Sequence, residues 1–349
     1  MALRKYFRVY LLYGVILPAA LFAIASLLTA DREPAVYKNS RILMGTVVEI
    51  SVSGCAHRDN AAKAMDAAFA EIERLEGKFS AFKKTSIVCR INGLPAGEAL
   101  PLDDETLYVI DKAIRYDRMT EGAFDITVKP LVDLWGFSTH RSIVPTESRI
   151  AAALQFVGTG HIILDKAAKT VSFDKNGVMI DLGAIAKGYA SDRAIEVLKA
   201  RGIKNAIVRS GGNIYCLGEK APGKKWKVGI QHPRKRDSLI AELAVENAAV
   251  DTSGDYEKFF LVGSKRFCHI MDPKTGMPVS EGPASATVIA PHAMEADALA
   301  TAFMVLGYER GAKVMGQFRD IEWLVTREVN GKIEIYASQN IGKFYAKKK

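Results

Sequence analysis

Two residues in the C-terminal part of the chain have the types and spacing of a magnesium site. Asp297 and Thr301 are four positions apart, so a helix would place both side-chain oxygens on one face. A carboxylate and a hydroxyl are hard ligands that suit Mg²⁺, which keeps other positions for water and substrate phosphates. Acidic side chains mostly face water, but the residues around this pair are apolar on almost every side. A helix of that kind is buried, and a buried carboxylate needs a partner.

A second segment, centred on Lys187, has the features of a phosphate site. The apolar residues 178–180 predict a strand that delivers Asp181, followed by Gly183 and a helix with Lys187 in its first turn. Glycine lets the backbone come close to a ligand, the free amides of a helix start attract anions, and lysine adds a point charge. The competing interpretation is a lysine on a solvent-facing helix.

One further residue is a candidate for a general base. His269 ends an apolar, strand-like run just before an Asp-Pro turn, a suitable place for a base at the edge of a cleft. A core histidine bonded to backbone fits the same pattern. Asp255 lies in the segment 251–256, rich in hydroxyls and acids, which we expect to be a loop. A serine esterase is excluded because the chain has no G-x-S-x-G sequence.

Composition bounds the class of protein. The chain has 349 residues, of which 49% are apolar, enough for a large core. Its formal net charge is +9, but seven of the positive charges lie near the two termini, which leaves +2 for the body. Without a basic stripe or a nucleic-acid motif, we expect no nucleic-acid partner. Four widely spaced cysteines exclude a C-x-x-C zinc pair and favour small buried hydrophobes, with one disulfide left open.

The N-terminus predicts export of the body. Basic residues precede an uncharged run from Val9 to Ala30, which fits a membrane span with the body outside. A signal peptide cleaved near Ala23-Ile24-Ala25 is the alternative. We therefore divide the chain into a signal peptide or anchor at 1–30, a linker at 31–40, a main domain at 41–340 and a basic tail at 341–349.

The elements that would position these residues predict a mixed α+β fold, with mixed sheets and packed helices. Helices are predicted at 59–79, after Asp103 or Asp104, from the Asp181 turn to 198, and at 295–306. A loop entering a short strand is predicted at 122–128. Asn330-Gly331 predicts a hairpin between two C-terminal strands.

Taken in order, short segments spread over most of the body resemble the ApbE family of bacterial flavin transferases. The segments are Met44-Gly45-Thr46, Phe79-Ser80-Ala81-Phe82, Arg90-Ile91-Asn92, Gly122-Ala123-Phe124-Asp125-Ile126-Thr127, Asp181-Leu182-Gly183-Ala184-Ile185-Ala186-Lys187-Gly188-Tyr189, Ser210-Gly211-Gly212-Asn213, Trp226-Lys227-Val228-Gly229-Ile230, Thr252-Ser253-Gly254-Asp255-Tyr256, His269-Ile270-Met271-Asp272-Pro273 and Glu295-Ala296-Asp297-Ala298-Leu299-Ala300-Thr301.

The resemblance implies a specific reaction. Members of the family use Mg²⁺ to cleave the pyrophosphate of FAD, which is a substrate, and move FMN onto a Thr or Ser hydroxyl of another protein with release of AMP. The acceptors implied are exported subunits of membrane redox complexes of the Rnf and Nqr type, modified at a Gly-Ala-x-Thr-like motif. Export of this body agrees with that setting, and the N-terminal segment would attach the protein to the membrane if it is not cleaved.

The resemblance also implies roles for individual residues. The metal ligands are Asp297, Thr301 and the backbone carbonyl near Ala184. The FAD site is lined by Met44, Phe79, Ala123, Phe124, Asp125, Asp181, Lys187, His269 and Met271. Lys187 would hold a phosphate and His269 would orient or deprotonate the incoming hydroxyl, with Asp255 or Asp181 as competing bases.

Two alternative functions remain open at this point. A Mg²⁺-dependent FAD pyrophosphatase would use the same site with water in place of the protein hydroxyl. An exported flavin-binding protein without turnover is the other; the Asp297/Thr301 pair and Lys187 speak against it, because flavin binding alone requires no metal at the diphosphate.

Overall fold

A computed structural model describes residues 34–139, 141–280 and 282–346 of the chain. The predicted signal or anchor segment at 1–30 and the last three residues of the predicted tail lie outside these ranges. Within them, no helix is both long enough and apolar enough to cross a membrane. The described residues from Val36 onward belong to one compact unit.

An eight-stranded antiparallel sheet forms the centre of this unit. Over the described ranges the strands are β1 (Val36–Leu43), β2 (Thr46–Ser53), β3 (Leu100–Pro101), β4 (Ile162–Asp165), β5 (Thr170–Phe173), β6 (Ala206–Ser210), β7 (Asn213–Leu217), β8 (Trp226–His232), β9 (Lys235–Val245), β10 (Ala248–Gly254), β11 (Phe259–Val262), β12 (Lys265–Cys268), β13 (Ser285–Ala290), β14 (Glu322–Val329) and β15 (Lys332–Ala337). The large sheet has the order β1-β2-β6-β7-β10-β13-β14-β15, and the other strands form three small sheets. The predicted Asn330-Gly331 hairpin is confirmed as the turn between β14 and β15.

Helices cover one face of the large sheet. In the same ranges the α-helices are α1 (Arg58–Phe79), α2 (Ile87–Asn92), α3 (Asp104–Met119), α4 (Lys129–Leu134), α5 (Glu147–Leu154), α6 (Ala186–Ala200) and α7 (Ala293–Met315). The predicted apolar face of α1 is buried against the sheet and α6. The predicted end of α7 near 306 coincides with a kink, because Gly307 has a positive φ of 74°. The prediction of a mixed α+β fold is confirmed.

The opposite face of the sheet is covered by the β8–β9 hairpin. Trp226, Val228 and Leu243 of that hairpin form a second core with Val250 and Ile289 of the central strands. Central strands are therefore buried on both faces, and all six residues of β13 are buried. Such strands lack the alternation of polar and apolar residues by which a strand is recognised. For that reason the prediction of a loop at 251–256 is wrong: residues 251–254 belong to β10.

Described residues on both sides of the predicted main domain also form regular structure. The predicted linker at 31–40 overlaps β1, which pairs along its whole length with β2. The predicted basic tail begins with a 3-10 turn, Ile341–Lys343, whose first side chain is buried. Tyr345 then bridges to Leu243 of β9. The described part of the tail thus packs onto the small β8–β9 sheet.

Two short strands that the sequence predicts are absent among the described residues. Residues 126 and 127 form a turn shortly before α4, and the apolar run 178–180 belongs to no helix or strand. For residues 178–180, the Asn92 side chain makes the hydrogen bonds that a neighbouring strand would otherwise make. Asn92, at the end of α2, donates to the Ile180 carbonyl at 2.9 Å and accepts from the Ile180 amide at 2.7 Å. This pair of hydrogen bonds fixes the backbone just before Asp181.

We predict that Asn92→Ala lowers the free energy of unfolding by about 2–4 kcal/mol, because it leaves the buried amide and carbonyl of Ile180 without partners. Asn92→Asp is the matched comparison, since it keeps an acceptor for the amide but turns a carboxylate oxygen toward the Ile180 carbonyl. At pH 7 it should be at least as destabilised as Asn92→Ala in urea denaturation. Equal stability of all three proteins would contradict this role.

Candidate active site

The site is built where the first turns of α6 and α7 meet. Gly188 allows the contact: a Cβ at this position would lie 2.2 Å from the Ala293 carbonyl oxygen and 2.6 Å from the Cα of Met294. Any side chain here would force the two helices apart. The close approach brings the N-terminal half of α7, which carries Asp297, against the start of α6.

Asp297 and Lys187, from the two motifs described above, meet at this junction. The Asp297 carboxylate is buried and accepts a hydrogen bond from the Gly188 amide at 2.9 Å. Lys187 Nζ lies 3.3 and 3.4 Å from its two oxygens and donates to the Gly183 carbonyl at 2.8 Å. Burial lowers the pKa of Lys187, but Asp297 and Asp251 outweigh burial and the net pKa is raised. The lysine is therefore a fixed positive charge at the helix start.

Asp251 is a third ionisable member of the site, and it was not predicted from the sequence. It lies on β10, two positions from Ala249, on the sheet face that α7 covers. Burial and the neighbouring Asp297 carboxylate raise its pKa to about 7, although Lys187 lowers it. The sequence does contain one indication of its burial: the apolar run 248–250 directly precedes Asp251.

The remaining predicted metal ligands lie around the same junction. Thr301, one turn beyond Asp297, is partly buried, and its hydroxyl lies 3.4 Å from Ser253 Oγ of β10. Gly188 is the third residue of α6, where backbone amides have no acceptor within the helix, and its amide donates to Asp297; the Ala184 carbonyl lies just before the N-cap residue, Ile185. Among the described residues, no hydrogen bond reaches the Ala184 carbonyl.

A carboxylate, a hydroxyl and a free carbonyl thus surround one helix junction, a donor set of the type that Mg²⁺ prefers. The structure contains no group of three or more His, Cys, Asp or Glu side chains that could hold a metal within the ranges it describes. A site built from one carboxylate, one hydroxyl and one backbone carbonyl does not require such a group.

The loop residues predicted to line the FAD site lie close in the fold to the Asp181 turn. Asp181 accepts from the Gly183 amide at 2.8 Å, and its own amide donates to the Ile126 carbonyl at 2.7 Å. Asp125 is buried and accepts from the amide and hydroxyl of Thr127 at 2.7 and 2.6 Å. Burial raises the pKa of Asp125 to about 6, against these hydrogen bonds.

Four other predicted FAD-site residues are mostly part of the core. Ala123 and Phe124 are buried, with Phe124 edge-on to Tyr116. The Phe79 ring is likewise buried, at the end of α1 and edge-on to Tyr189 of α6. Met44 differs: it is partly buried in the tight β1–β2 turn, with a positive φ of 52°. Three of these side chains therefore support the loops and helices of the site from beneath.

The two candidate bases have different surroundings. His269 directly follows β12, is partly buried, and contacts the Lys258 carbonyl through Nδ1 at 3.3 Å. Burial and the positive charges of Lys258 and Lys187 lower its pKa to about 4, so the ring is neutral at pH 7 and able to accept a proton. Met271, two residues on, is buried in a small apolar cluster with Trp135 and Phe267.

Asp255 is held in an ion-pair cluster at the end of β10. Arg234 donates to both of its oxygens, at 2.7 and 2.8 Å, and Arg266 adds a third contact at 3.1 Å. Glu328 accepts from the same Arg234 at 2.8 Å. Both oxygens of Asp255 are occupied by arginine N–H groups, so the geometry favours His269 over Asp255 as the base.

All four cysteines are free, with Cys216 and Cys268 buried and the other two partly buried. Burial raises the pKa of the Cys216 thiol to about 12 and that of Cys268 to about 11. The interpretation of the cysteines as small core residues therefore agrees with the structure, and neither buried thiol is suited to nucleophilic chemistry.

Comparison with known proteins defines the class. The profile of the ApbE family matches residues 44–325. Among curated relatives, an FAD:protein FMN transferase of Vibrio cholerae is 34% identical over 279 residues, covering 79% of this chain and 83% of the relative. One from Haemophilus influenzae is 32% identical over 329 residues, covering 92% and 94%.

Solved structures give the same result. The crystal structure of an ApbE protein from Thermotoga maritima has a TM-score of 0.82 at 35% identity and covers 90% of this chain and all of its own. The flavin transferase ApbE from Vibrio cholerae has a TM-score of 0.80 at 31% identity, covering 89% and 99%. The fold is that of the ApbE flavin transferases. This chain belongs to the ApbE family.

Gly188→Ala should lower the free energy of unfolding by about 1–3 kcal/mol, since its methyl group must displace the α7 backbone. Gly77→Ala, inside α1, is the matched control, because a Cβ there meets nothing within 4 Å. The control should be neutral or more stable by up to about 1 kcal/mol. Equal changes in thermal unfolding for both variants would show that the helix junction tolerates a side chain.

The lowered pKa of His269 predicts a pH dependence of stability. Between about pH 6.5 and 4 the unfolded chain binds a proton that the folded ring does not, so this group reduces stability as the pH falls through that window. His269→Asn removes the effect. The free energy of unfolding of wild type minus that of the variant should be constant from about pH 7.5 to 8.5 and decrease from about pH 6.5 to 4. A difference that stays constant throughout would refute the assignment.

Proposed function

We propose that this protein is a Mg²⁺-dependent FAD:protein FMN transferase. Membership of the ApbE family and the names of its relatives support the activity, and one structural observation supports the site. That observation is the junction at which Asp297 contacts Lys187 and Gly188 in the first turn of α6, with the Ala184 carbonyl just before the start of that helix. Together they offer a hard-oxygen donor set beside a cation and a helix N-terminus, which suits a metal-bound diphosphate.

The metal would be held by Asp297, Thr301 and the Ala184 carbonyl. Mg²⁺ supplies charge neutralisation at the diphosphate and stabilises the negative charge that develops on the leaving group. The protein's own contribution is placement. Gly188 and Asp297 hold the two helix starts together, and Lys187 presents its ammonium group to a phosphate oxygen at the same point.

In the chemical step, the acceptor hydroxyl replaces AMP on the phosphorus of the FMN half. The acceptor hydroxyl oxygen forms a bond to the phosphorus of the FMN half, the pyrophosphate P–O bond breaks, and AMP leaves with the bonding electrons. The hydroxyl proton needs an acceptor at this moment. His269 is suited to that role because it is neutral at pH 7 and lies near Lys187, whose charge affects its pKa.

The acceptor and the location are proposed from the sequence. Its N-terminal segment favours export, and the family resemblance favours a Thr or Ser hydroxyl in a Gly-Ala-x-Thr-like motif of an Rnf- or Nqr-type subunit. The discriminating assay mixes the protein with FAD, MgCl₂ and a fragment bearing that motif, followed by intact mass and in-gel flavin fluorescence. A fluorescent fragment heavier by one FMN and lost with EDTA supports the transferase. Free FMN and AMP with an unmodified fragment support a pyrophosphatase, and intact bound FAD supports a binding protein.

Asp297→Ala should abolish transfer, and Asp297→Asn should reduce it at least about 100-fold, since the amide keeps an acceptor for Gly188 but lacks the charge that binds Mg²⁺. The control is Glu309→Gln in the same helix, whose side chain is 76% exposed. It should transfer at the wild-type rate. Transfer retained by Asp297→Asn at saturating FAD would remove Asp297 from the metal site.

A further inference from the structure

A carboxylate on α6, that of Asp192, holds the start of α7. Asp192 is partly buried, and its two oxygens accept hydrogen bonds from the backbone amides of Ala293 and Met294, at 2.7 and 2.9 Å. These are the first two residues of α7. The residue at the N-cap position of that helix, His292, makes no capping hydrogen bond with its own side chain. The cap of α7 is therefore supplied by a different helix.

This contact belongs to the same strip of α6 as the helix junction. Asp192 lies four residues after Gly188, so both face α7. Gly188 contacts Ala293 and donates to Asp297, while Asp192 binds the amides of the turn that precedes Asp297. The first turn of α7 is thus held at two points one helical turn apart. An ionised carboxylate at this place also interacts favourably with the positive end of the helix dipole.

The surroundings of Asp192 show how this carboxylate is kept in place. Burial raises its pKa to about 6, while the two amide hydrogen bonds and the nearby His292 lower it and Glu196 raises it. At pH 7 the group is ionised and accepts from both amides. Its negative charge also contributes to the raised pKa of Tyr108 on α3 and of Tyr215 on β7.

We propose that Asp192 is a positioning residue for metal binding: by capping α7 from α6, it sets the position of Asp297 and Thr301 relative to the Ala184 carbonyl. This inference rests on the proposed function, because it assumes that those three groups bind Mg²⁺. Asp192 itself contacts neither of the two side-chain ligands in the described hydrogen bonds.

The test compares wild type with Asp192→Asn. The amide side chain offers one acceptor in place of two, and its NH₂ group faces one of the two backbone amides. We expect the MgCl₂ concentration for half-maximal transfer to rise about five- to ten-fold, with the rate at saturating MgCl₂ within about two-fold of wild type. Calorimetric titration of MgCl₂ into the FAD-loaded protein should show the same rise in Kd. The control is Glu309→Gln, an exposed carboxylate of α7, which should leave both values unchanged.

Hydrogen exchange gives a readout independent of activity. Ala293 and Met294 occupy the first turn of α7, where amides have no partner within the helix, yet in wild type they should be protected from exchange. In Asp192→Asn their exchange should become at least about ten-fold faster, while amides in the centre of β13 are unchanged. Rapid exchange in wild type would overturn the proposal without any variant.

The outcomes separate the two hypotheses. A lower melting temperature and a lower saturated rate with an unchanged MgCl₂ requirement would give Asp192 a structural role only, and would overturn the positioning role. Wild-type protein that transfers FMN without a divalent cation would overturn the proposed metal site and, with it, this inference, even if the two amides are protected. A raised MgCl₂ requirement with faster exchange at Ala293 and Met294 supports both.

Discussion

The hydrogen bond from the Gly188 amide to the Asp297 carboxylate is the contact on which the site depends. It requires glycine, since any Cβ at 188 would overlap the backbone of Ala293. It also gives an acceptor to an amide of the first turn of α6, which has none within the helix. One contact therefore joins the two helices and orients the carboxylate. Lys187 is placed by the same arrangement, because it is the residue next to Gly188.

This arrangement has an electrostatic cost that its environment offsets only in part. Asp297 and Asp251 are both buried, and Lys187 is the cation beside them. Burial of carboxylates close to one another is unfavourable, which is why the pKa of Asp251 is raised to about 7. A cluster of this kind contributes little to folding, and strongly shifted groups concentrate at functional sites. The burial is made possible by the two-sided covering of the sheet, with α7 on one face and the β8–β9 hairpin on the other.

The local patterns in the sequence predicted much of the fold and the principal residues of the site. The apolar faces of α1 and α7, the turn at Asn330-Gly331 and the positions of Lys187 and Asp297 follow from short-range periodicity and spacing. Two kinds of feature could not be predicted from such local patterns. Central strands such as β10 are buried on both faces and show no alternation, so Asp251 was assigned to a loop. The segment before Asp181 is held by Asn92, 88 residues earlier, and no local pattern reveals such a pairing.

Because long-range pairings bring its residues together, the site must be sensitive to residues far from it in sequence. Its groups come from α6, β10 and α7, and these elements become neighbours only because β7, β10 and β13 are adjacent in the sheet. That order is set by pairings across long intervals of the chain, as between Asp251 and Asn213 on one side and Asp251 and Val288 on the other. Cores of this density transmit small displacements rather than absorb them. A change in the register of β10 would move Asp251 to the opposite face of the sheet, and the helix junction would then retain Asp297 and Lys187 without the second carboxylate.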